Sequence, residues 1–358
     1  MNRNHQLLIN LAFLGTKYTG LTTYTKNLIP QLANLNPTLI TSNSYPDFNT
    51  YPVSANLTQE QGTKGNIKRL IWTETQLYQT YQQLKSSLLF TPIPEAPIYG
   101  NCRYIVTVHD LIPLRFPKFS PLTFYNKYYL PQVLKKATHI IAVSQATASD
   151  INKFFNIPLD KITVILSGYD SHNFRPLNLA TRPYFLYLGR YDPHKNLARL
   201  ITAFSQIDPE YQLLIVGQFD PRFTPALQQQ VEALLISQRV QFLNYVSYEE
   251  LPQLLNQATA LVYPSLWEGF GLPVLEAIAC GTPVITSNLS SLPEVTVTGD
   301  AAILINPYSI DEMREAMQQI ATDEQLRLKL KSLSRQRAEL FSWEKTGQET
   351  ATILESFL

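Results

Sequence analysis

Short apolar segments rich in β-branched residues alternate along the chain with stretches of helical periodicity. In the helical stretches apolar residues recur every three or four positions, as at Leu197, Leu200 and Phe204. Such alternation indicates parallel sheets that are covered by helices on both faces. The segments predicted as strands are 7–14, 104–109, 139–144, 162–167, 184–189, 211–217, 260–265 and 283–287.

A segment rich in Gly, Pro and Asn, residues 168–183, separates two halves with this pattern. A chain of 358 residues is long enough for two domains, each with its own core. We therefore expect an α/β protein with two doubly wound, Rossmann-like parallel-sheet domains, 1–172 and 173–341, facing each other across a cleft. Ligands of open parallel sheets bind at the carboxyl ends of the strands.

The charge is unevenly distributed, although the net charge is only +1. Residues 1–172 contain 15 Lys/Arg and 8 Asp/Glu, a charge of +7, whereas residues 173–358 contain 14 and 20, a charge of −6. Two interpretations are open: compositional drift between two domains, or a basic N-terminal half that contacts anionic lipid or a pyrophosphate-bearing acceptor. Nucleic acid is disfavoured as a partner, since it would require a denser basic stripe.

Hydropathy and cysteine usage favour a cytoplasmic protein, with peripheral contact to the inner face of the membrane left open. No run approaches the roughly 18 consecutive apolar residues of a membrane span. The N-terminal stretch has no small-residue cleavage site and is more typical of a buried strand than of a signal peptide. Cys102 and Cys280 lie far apart without C-x-x-C spacing, which disfavours a disulfide framework or a zinc site.

Two carboxylates eight positions apart, Glu268 and Glu276, enclose two glycines and a proline. The preceding apolar run stops at Pro264, Pro273 suits a helix start, and Gly281 suits a helix end. The pattern predicts a strand, a loop and then a helix that carries Glu276 one turn inside.

The glycines of this loop predict close contact with a ligand. Gly269 and Gly271 allow the backbone to approach it, and the N–H groups of Phe270, Gly271 and Leu272 form an anion site at the helix start. We expect a diphosphate at this point, with Glu268 and Glu276 binding sugar hydroxyls. The alternative is a strand–turn–helix with two incidental carboxylates.

Two further segments carry candidate site residues. In 187–201 a strand ends at Gly189, and Arg190 and Lys195 project from a turn, where they could bind phosphate. His109 ends a predicted strand and precedes Asp110. In isolation, the two cations would be read as solvated surface and the histidine as structural.

Absent motifs and aromatic spacing limit the possibilities further. The sequence has no Walker A loop, HExxH, G-x-S-x-G or D-x-D motif, and the loop at 15–32 lacks the G-x-G-x-x-G spacing. We therefore expect neither metal nor cofactor, with a diphosphate neutralised by protein cations and helix dipoles. The aromatic segments 72–84 and 121–130 could line an acceptor groove, but their spacing favours core packing, with Phe124 and Tyr128 on one face and Tyr125 and Tyr129 on another.

The segment EGFGLPVLEAIACGTPVI (268–285) resembles the glutamate–seven–glutamate signature of retaining glycosyltransferases of family 4, which have the GT-B fold. The resemblance covers nearly the whole chain. The other matching segments are TGLTTYTKNL (19–28), TVHDLIPLRFP (107–117), AVSQATASDI (142–151), ILSGYD (165–170), GRYDPHKNL (189–197), FLNYVSYEEL (242–251), SSLPEVTVTGDAAILINPYS (290–309) and FSWEKTGQETATIL (341–354).

The resemblance implies a nucleotide-diphosphate sugar as donor, with GDP-mannose favoured over a UDP-sugar, and a glycan or lipid-linked acceptor. It implies that helix 342–358 packs back on the first domain. By this resemblance, Arg190 and Lys195 would bind the diphosphate and stabilise the leaving group. Glu268 would contact the donor sugar, with the amides of Phe270, Gly271 and Leu272 beside it, and Glu276 would bind the ribose. His109 would contact the transferred sugar, and Gly20 would lie in a loop that faces donor and acceptor.

Two positions depart from the family pattern. Thr22 stands where many members have a second glycine, which predicts a stiffer loop or a different way of reading the acceptor. His194 stands where an arginine is common, which weakens the diphosphate clamp slightly.

The retention of configuration that the family implies favours attack by the acceptor on the face that the phosphate leaves. The sequence offers no clear carboxylate for a double displacement. Three alternatives on the same fold are a nucleotide-sugar epimerase, a phosphorylase and a non-catalytic sugar-binding protein. A phosphorylase would be far longer, and a non-catalytic protein would lack Glu268, Glu276, Arg190 or Lys195.

Overall fold

The computed structural model describes residues 6–17, 19–244, 246–296 and 300–358. Positions 1–5, 18, 245 and 297–299, which fall within segments quoted above, lie outside the described residues. The chain divides into two compact units. The N-terminal unit comprises residues 1–168 together with Trp343–Leu358, and the C-terminal unit comprises Tyr169–Ser342.

The N-terminal unit is built on parallel strands with helices between them. Its strands are β1 (Leu7–Asn10), β2 (Thr38–Thr41), β3 (Asn49–Pro52), β4 (Leu88–Thr91), β5 (Tyr104–Val108), β6 (His139–Ala142) and β7 (Ile162–Val164). Its helices are α1 (Gly20–Gln31), α2 (Gly62–Trp72), α3 (Tyr78–Gln83), α4 (Ile112–Arg115), α5 (Pro121–Phe124), α6 (Leu130–Lys136), α7 (Gln145–Phe155) and, from the end of the chain, a helix at Trp343–Phe357.

The seven strands form one sheet in the order β3-β2-β1-β4-β5-β6-β7. The order runs outward from β1 to one edge and then from β4 to the other, which is a doubly wound arrangement. In β1, Leu8 pairs with Thr38 of β2 and with Leu89 of β4. β1, β4, β5 and β6 are buried along their whole length. Helices on both faces of the sheet account for this burial.

The C-terminal unit repeats this plan. Its strands are β8 (Tyr184–Leu188), β9 (Gln212–Val216), β10 (Val240–Leu243), β11 (Ala260–Tyr263), β12 (Val284–Ser287) and β13 (Ile303–Ile305). They are parallel and form a sheet in the order β10-β9-β8-β11-β12-β13. The helices are α8 (Leu197–Phe204), α9 (Thr224–Ala233), α10 (Leu251–Gln257), α11 (Leu272–Cys280), α12 (Leu292–Thr296), α13 (Ile310–Thr322) and α14 (Glu324–Ala338), which makes the terminal helix Trp343–Phe357 α15.

The terminal helix α15 packs against α1 of the N-terminal unit. Gly347 makes this close approach possible, because a β-carbon there would lie 2.1 Å from Cβ of Gln31. The Thr346 hydroxyl donates a hydrogen bond of 2.8 Å to the carbonyl oxygen of Leu166, at the end of the unit's first stretch of chain. These contacts attach the last 16 residues to the N-terminal unit.

The eight strands predicted from hydropathy are all confirmed, although each is shorter than expected. β1 stops at Asn10 because the chain turns there, with the side-chain oxygen of Asn10 accepting from the N–H of Ala12. The pattern missed β2, β3, β4, β10 and β13. β2 and β4 contain only two and three consecutive apolar residues, and β3 is largely exposed.

The expectation of core packing is confirmed for one aromatic segment and partly wrong for the other. Trp72 and Tyr81 are buried in the core of the N-terminal unit. In the second segment Tyr125 and Tyr129 face inward, but Phe124 and Tyr128 are exposed. Hydrogen bonds explain this orientation. The hydroxyl of Tyr125 donates to the carbonyl oxygen of Pro94 at 2.7 Å, and that of Tyr129 lies 3.0 Å from the carbonyl oxygen of Ala96. A helix on the surface of a sheet can bury only one of the two faces.

Among the described residues, no helix combines the length and apolar character needed to cross a membrane. Cys102 and Cys280 are both free and buried.

Candidate functional site

Glu268 lies on the connection from β11 to α11, and Glu276 lies on α11 itself. β11 ends at Tyr263, and α11 begins at Leu272. Gly271 caps the helix with φ 110° and ψ 47°, in the left-handed region that favours glycine. Pro273 lies in the first turn, where an N–H has no partner within the helix, and Gly281 caps the end with φ 73°. The predicted strand, loop and helix are therefore confirmed.

Two serines after β12 hold this loop in place. The hydroxyl of Ser290 accepts a hydrogen bond of 3.1 Å from the N–H of Glu268. The hydroxyl of Ser291 donates one of 2.7 Å to the carbonyl oxygen of Phe270. The N–H groups of residues 270–272 precede the first hydrogen-bonded turn of α11, where the helix dipole favours an anion. The loop thus presents a fixed helix start to a ligand.

The carboxylate of Glu268 is buried in an ion pair. Lys195 Nζ lies 2.6 Å from Glu268 Oε1 and donates a hydrogen bond of 3.0 Å to the hydroxyl of Tyr263. The side chains of Lys195 and Glu268 are 13% and 9% exposed. Burial pushes the pKa of Glu268 upward, but the charge of Lys195 and hydrogen bonds from Lys195, Ser265 and Tyr263 outweigh it and lower the pKa. Glu268 is therefore ionised at neutral pH.

This pair follows from the order of the strands. β8 and β11 are neighbours, with Leu186 opposite Leu261, so the loops after their carboxyl ends lie side by side. The turn Pro193–Lys195 is then fastened to the loop after β11, because the N–H of Leu266 donates to the carbonyl oxygen of His194 at 2.7 Å. A lysine ammonium has three N–H donors, and Glu268 and Tyr263 occupy two of them. One donor remains for a ligand oxygen.

Arg190 lies on the same loop after β8 and is solvent-accessible. Its side chain is 78% exposed, and Nη2 lies 3.1 Å from Oδ2 of Asp192. The residue before it, Gly189, has φ 151°, at the edge of the region that favours glycine. A guanidinium has five N–H donors, so the exposed fork of Arg190 can still bind an anionic ligand.

Glu276 lies in the second turn of α11 and is partly exposed. Burial first, and then the negative charge of Asp170, raises the pKa of Glu276 to about 8. Asp170 is itself held by the N–H groups of His172 and Asn173 and accepts a hydrogen bond of 3.3 Å from the hydroxyl of Tyr248. The negative charge of Asp170 thus acts against the ionisation of Glu276.

His109 directly follows β5 in the N-terminal unit. Its Nε2 lies 2.7 Å from the carbonyl oxygen of Pro92, which can only accept, so Nε2 carries the proton. The ring meets that of Tyr24 edge-on, with centroids 4.7 Å apart. Burial lowers the pKa of His109 to about 4, against the opposing effect of the Pro92 hydrogen bond. The imidazole is therefore neutral at pH 7, with Nδ1 as an acceptor.

Gly20 is the first residue of α1 and is exposed. The preceding residue, Thr19, caps the helix by accepting from the N–H of Thr22 at 3.2 Å, and the two threonine hydroxyls lie 2.9 Å apart. Thr22 therefore reinforces the cap of α1 from a buried position. This contact gives a physical basis for the stiffer loop that the sequence predicts.

His194 does not replace the positive charge of an arginine. It is buried, and burial first and then the charge of Lys195 lower its pKa to about 4. The imidazole is therefore neutral at pH 7, and the cations of the segment 189–197 are Arg190 and Lys195.

The structure brings the C-terminal site residues together on adjacent loops and on α11, whereas Gly20 and His109 belong to the N-terminal unit. Sequence reasoning missed two residues. Tyr263 bridges Lys195 and Glu268. The only feature of the sequence that could have identified it is its position at the carboxyl end of β11. Asp170, which opposes Glu276, lies in the segment interpreted as a linker. Within the described residues, no group of three or more His, Cys, Asp or Glu side chains is arranged to hold a metal ion.

Two family models match the chain. Glycosyl transferases group 1 matches residues 170–337, and Glycosyltransferase Family 4 matches residues 18–173. The O-antigen chain mannosyltransferase RfbU of Salmonella typhimurium is 30% identical over 326 residues, which cover 88% of this chain and 90% of the relative.

Solved structures with the same fold extend over nearly the whole chain. Sucrose-phosphate synthase from Thermosynechococcus elongatus has a TM-score of 0.80 at 22% identity and covers 98% of both chains. HepE of Anabaena, in complex with UDP and glucose, has a TM-score of 0.76 at 19% identity and covers 98% of this chain and 100% of HepE. The architecture is thus the GT-B fold. The chain belongs to the family 4, group 1 glycosyltransferases.

Proposed function

We propose that this glycosyltransferase moves mannose from GDP-mannose to a glycan or lipid-linked acceptor in polysaccharide or glycoconjugate biosynthesis, with retention of configuration. The observation that carries the proposal is the group formed by the exposed Arg190, the Lys195–Glu268 pair and the start of α11 on neighbouring loops. Two cations and a helix start suit a diphosphate, and a buried ionised carboxylate beside them suits a sugar hydroxyl.

In this proposal each part of the donor is bound by different residues. Arg190 and the third N–H of Lys195 bind the diphosphate, together with the amides of residues 270–272. Glu268 contacts the donor sugar, and Glu276 binds the ribose hydroxyls. For the N-terminal unit we propose that His109 hydrogen-bonds the transferred sugar and that the loop at Gly20 contacts donor and acceptor.

The charge distribution of the reaction explains why these groups would accelerate it. As the bond from the anomeric carbon to the phosphate oxygen breaks, negative charge grows on the diphosphate. Arg190, Lys195 and the helix start oppose that charge where it develops, and such stabilisation lowers the barrier. The acceptor oxygen forms its bond to the anomeric carbon on the same face, and its proton passes to the departing phosphate oxygen.

The choice of mannose rests on RfbU, which is named a mannosyltransferase of the O-antigen chain. HepE binds UDP and glucose, and its likeness is limited to the fold. GDP-mannose is therefore the first donor to test, and UDP-glucose is the second.

Acceptor-dependent release of nucleoside diphosphate tests the proposal. The full chain is incubated with GDP-mannose or UDP-glucose, with and without mannose-containing glycans and membrane lipid extract. We expect release of GDP that depends on the acceptor and a product that contains mannose. An epimerase would change the sugar without an acceptor, and a non-catalytic protein would bind a donor without turnover.

Glu276 should make donor binding depend on pH. With a pKa raised to about 8, Glu276 is mainly protonated at neutral pH and becomes a carboxylate as the pH rises. An ionised carboxylate accepts ribose hydroxyls more strongly, so donor KM should fall as pH rises through about 8. Steady-state kinetics with varied donor measure the effect.

Two variants serve as controls for this pH dependence. Glu276→Gln cannot ionise, so its donor KM should show no pH step and should exceed that of the parent only above about pH 8. Asp170→Asn removes the neighbouring negative charge and should move the step to lower pH. A donor KM of the parent enzyme that is constant from about pH 6.5 to 9.5 would contradict the assignment.

Transfer should not require a divalent metal, because Arg190, Lys195 and a helix start can stabilise the diphosphate. We expect initial rates in excess EDTA to remain within about twofold of the rates with added magnesium or manganese. Loss of most activity in EDTA and its recovery with either metal would show that this expectation is wrong.

A further inference from the structure

An exposed row of apolar side chains begins just before α5 and continues along the π-helical turn Tyr125–Tyr129 that follows it. We name Phe119, Leu122, Phe124 and Tyr128 the aromatic ridge. Phe119 is 97% exposed, Leu122 58%, Phe124 47% and Tyr128 58%. The Phe119 and Phe124 rings meet edge-on at 5.6 Å, and the Phe124 and Tyr128 rings stack at 6.0 Å. The ridge is therefore one contiguous apolar patch. Contiguous apolar patches on a protein surface mark interaction sites.

Positively charged residues are concentrated in the segment that carries the ridge, where Arg115 pairs with Asp150. Residues 111–149 contain five Lys/Arg and no Asp/Glu. Four of the five, Lys118, Lys127, Lys135 and Lys136, are exposed. Lys127 Nζ lies 5.5 Å from the centroid of the Tyr128 ring, so charge and apolar surface are adjacent.

Grooves flank the helical segment that carries the ridge. One, of about 700 Å³, is lined by residues that include Tyr99, Tyr128, Lys135 and Lys136. The other, of about 520 Å³, is lined by residues that include Leu114, Lys127 and Phe154. The apolar surface with lysines at its margin thus extends beyond the ridge on both sides.

We propose that the aromatic ridge and its lysines dock on the surface of an anionic lipid bilayer. Aromatic and aliphatic side chains insert at the level of the headgroups, and lysines are attracted to anionic lipid. This assigns four of the 15 Lys/Arg of residues 1–172 to a particular surface. Docking itself needs no sugar transfer, but its use in reaching a lipid-linked acceptor rests on the proposed function.

The charge disfavours a second copy of the chain as the occupant. A symmetric contact would bring the lysines of both copies into one interface, and like charges repel.

Sedimentation of the full chain with vesicles tests the proposal without donor or acceptor. One set of vesicles is pure phosphatidylcholine, and the other contains phosphatidylglycerol in addition. We expect binding to the anionic vesicles that weakens as salt is raised. Lys118→Gln/Lys127→Gln should weaken it about thirtyfold, since each lysine near an anionic surface contributes about fivefold. Phe119→Ser/Phe124→Ser should weaken it by about tenfold or more.

Matched variants with the same changes elsewhere control for charge and hydrophobicity. Lys329→Gln/Lys345→Gln removes two exposed lysines, and Leu235→Ser/Phe219→Ser removes side chains that are 92% and 47% exposed. Both should bind vesicles like the parent. All the substituted side chains are exposed, and unchanged melting temperatures confirm that each variant is folded.

Three results would overturn the proposal. The first is equal binding to neutral and anionic vesicles at low salt, and the second is unchanged binding of both ridge variants. The third is a dimer in solution that the ridge substitutions dissociate, which would assign the surface to a second copy. Because no donor is present, none of these results depends on whether the chain transfers mannose.

Discussion

A Lys195→Met variant should lose about a thousandfold in kcat and about tenfold in donor affinity. The side chain of Lys195 is 13% exposed and donates to Glu268 and Tyr263, which leaves one N–H. If that N–H binds the diphosphate as proposed, the contact strengthens as negative charge develops on the leaving group, so most of the loss should fall on kcat. Steady-state kinetics with varied donor at saturating acceptor would measure both constants.

The second effect of Lys195→Met is to leave the buried carboxylate of Glu268 without its cation. The double variant Lys195→Met/Glu268→Gln removes that charge and separates the two causes. Glu268→Gln alone should lower kcat about a hundredfold, because it weakens one contact at the reacting sugar. The double variant should then be at least as slow as Lys195→Met.

Recovery of the double variant to the rate of Glu268→Gln alone would contradict this account. It would mean that Lys195 only neutralises Glu268 and does not act on the diphosphate. The control is Lys331→Met, which changes a half-buried lysine of α14 and should leave both kinetic constants unchanged.

The largest expected loss of stability is that of Arg69→Met. Arg69 Nε and Nη2 donate to the two oxygens of Glu95 at 2.6 and 2.7 Å, and the two side chains are 4% and 9% exposed. Arg69 also donates to the carbonyl oxygen of Leu57 at 3.0 Å. Removing the arginine leaves Glu95 buried and unpaired, which should cost about 3–5 kcal/mol of the free energy of unfolding. Urea denaturation would measure the change.

Two comparisons make this result specific to the buried pair. Arg69→Met/Glu95→Gln removes both charges and should recover most of the stability, because an isolated buried charge is the main penalty. Arg222→Met breaks an exposed pair with Asp220 and should leave the urea midpoint unchanged. Equal losses for Arg69→Met and Arg222→Met would show that burial does not determine the effect.

Much of this architecture could be predicted because local patterns encode it. The buried strands β5, β6, β8 and β11 are continuous apolar runs, and both ends of α11 carry their own signals in Gly271, Pro273 and Gly281. β3 could not be found in this way, since it is a largely exposed edge strand that ends in a proline.

The contacts inside the site could not be predicted, because they depend on strand order. The sequence assigned Lys195 to a diphosphate and Glu268 to a sugar, but it could not show that the two are paired. That pairing follows from the adjacency of β8 and β11, whose sequence separation exceeds 70 residues. Likewise, Asp170 lies opposite Glu276 only because the chain entering the C-terminal unit passes near α11, and no local pattern encodes this proximity.

The exposure of the aromatic ridge could not be predicted from the sequence for a different reason. Phe124 and Tyr128 have the same spacing as Tyr125 and Tyr129, so periodicity predicts two apolar faces without ranking them. The tyrosine hydroxyls have carbonyl partners on the inner side, and this decides which face is buried. Such a choice becomes visible only when the partners at Pro94 and Ala96 are placed in space.

Calorimetric titration of the full chain with GDP-mannose tests the central claim most directly, namely that the loop after β8 and the start of α11 hold a nucleotide-sugar donor. We expect saturable binding with a Kd between about 1 µM and 1 mM, in the range of typical substrate KM values. Lys195→Met should weaken it about tenfold, and Lys331→Met should bind like the parent. Absence of binding for both GDP-mannose and UDP-glucose at millimolar concentration, or equal affinities of the parent and Lys195→Met, would contradict the account.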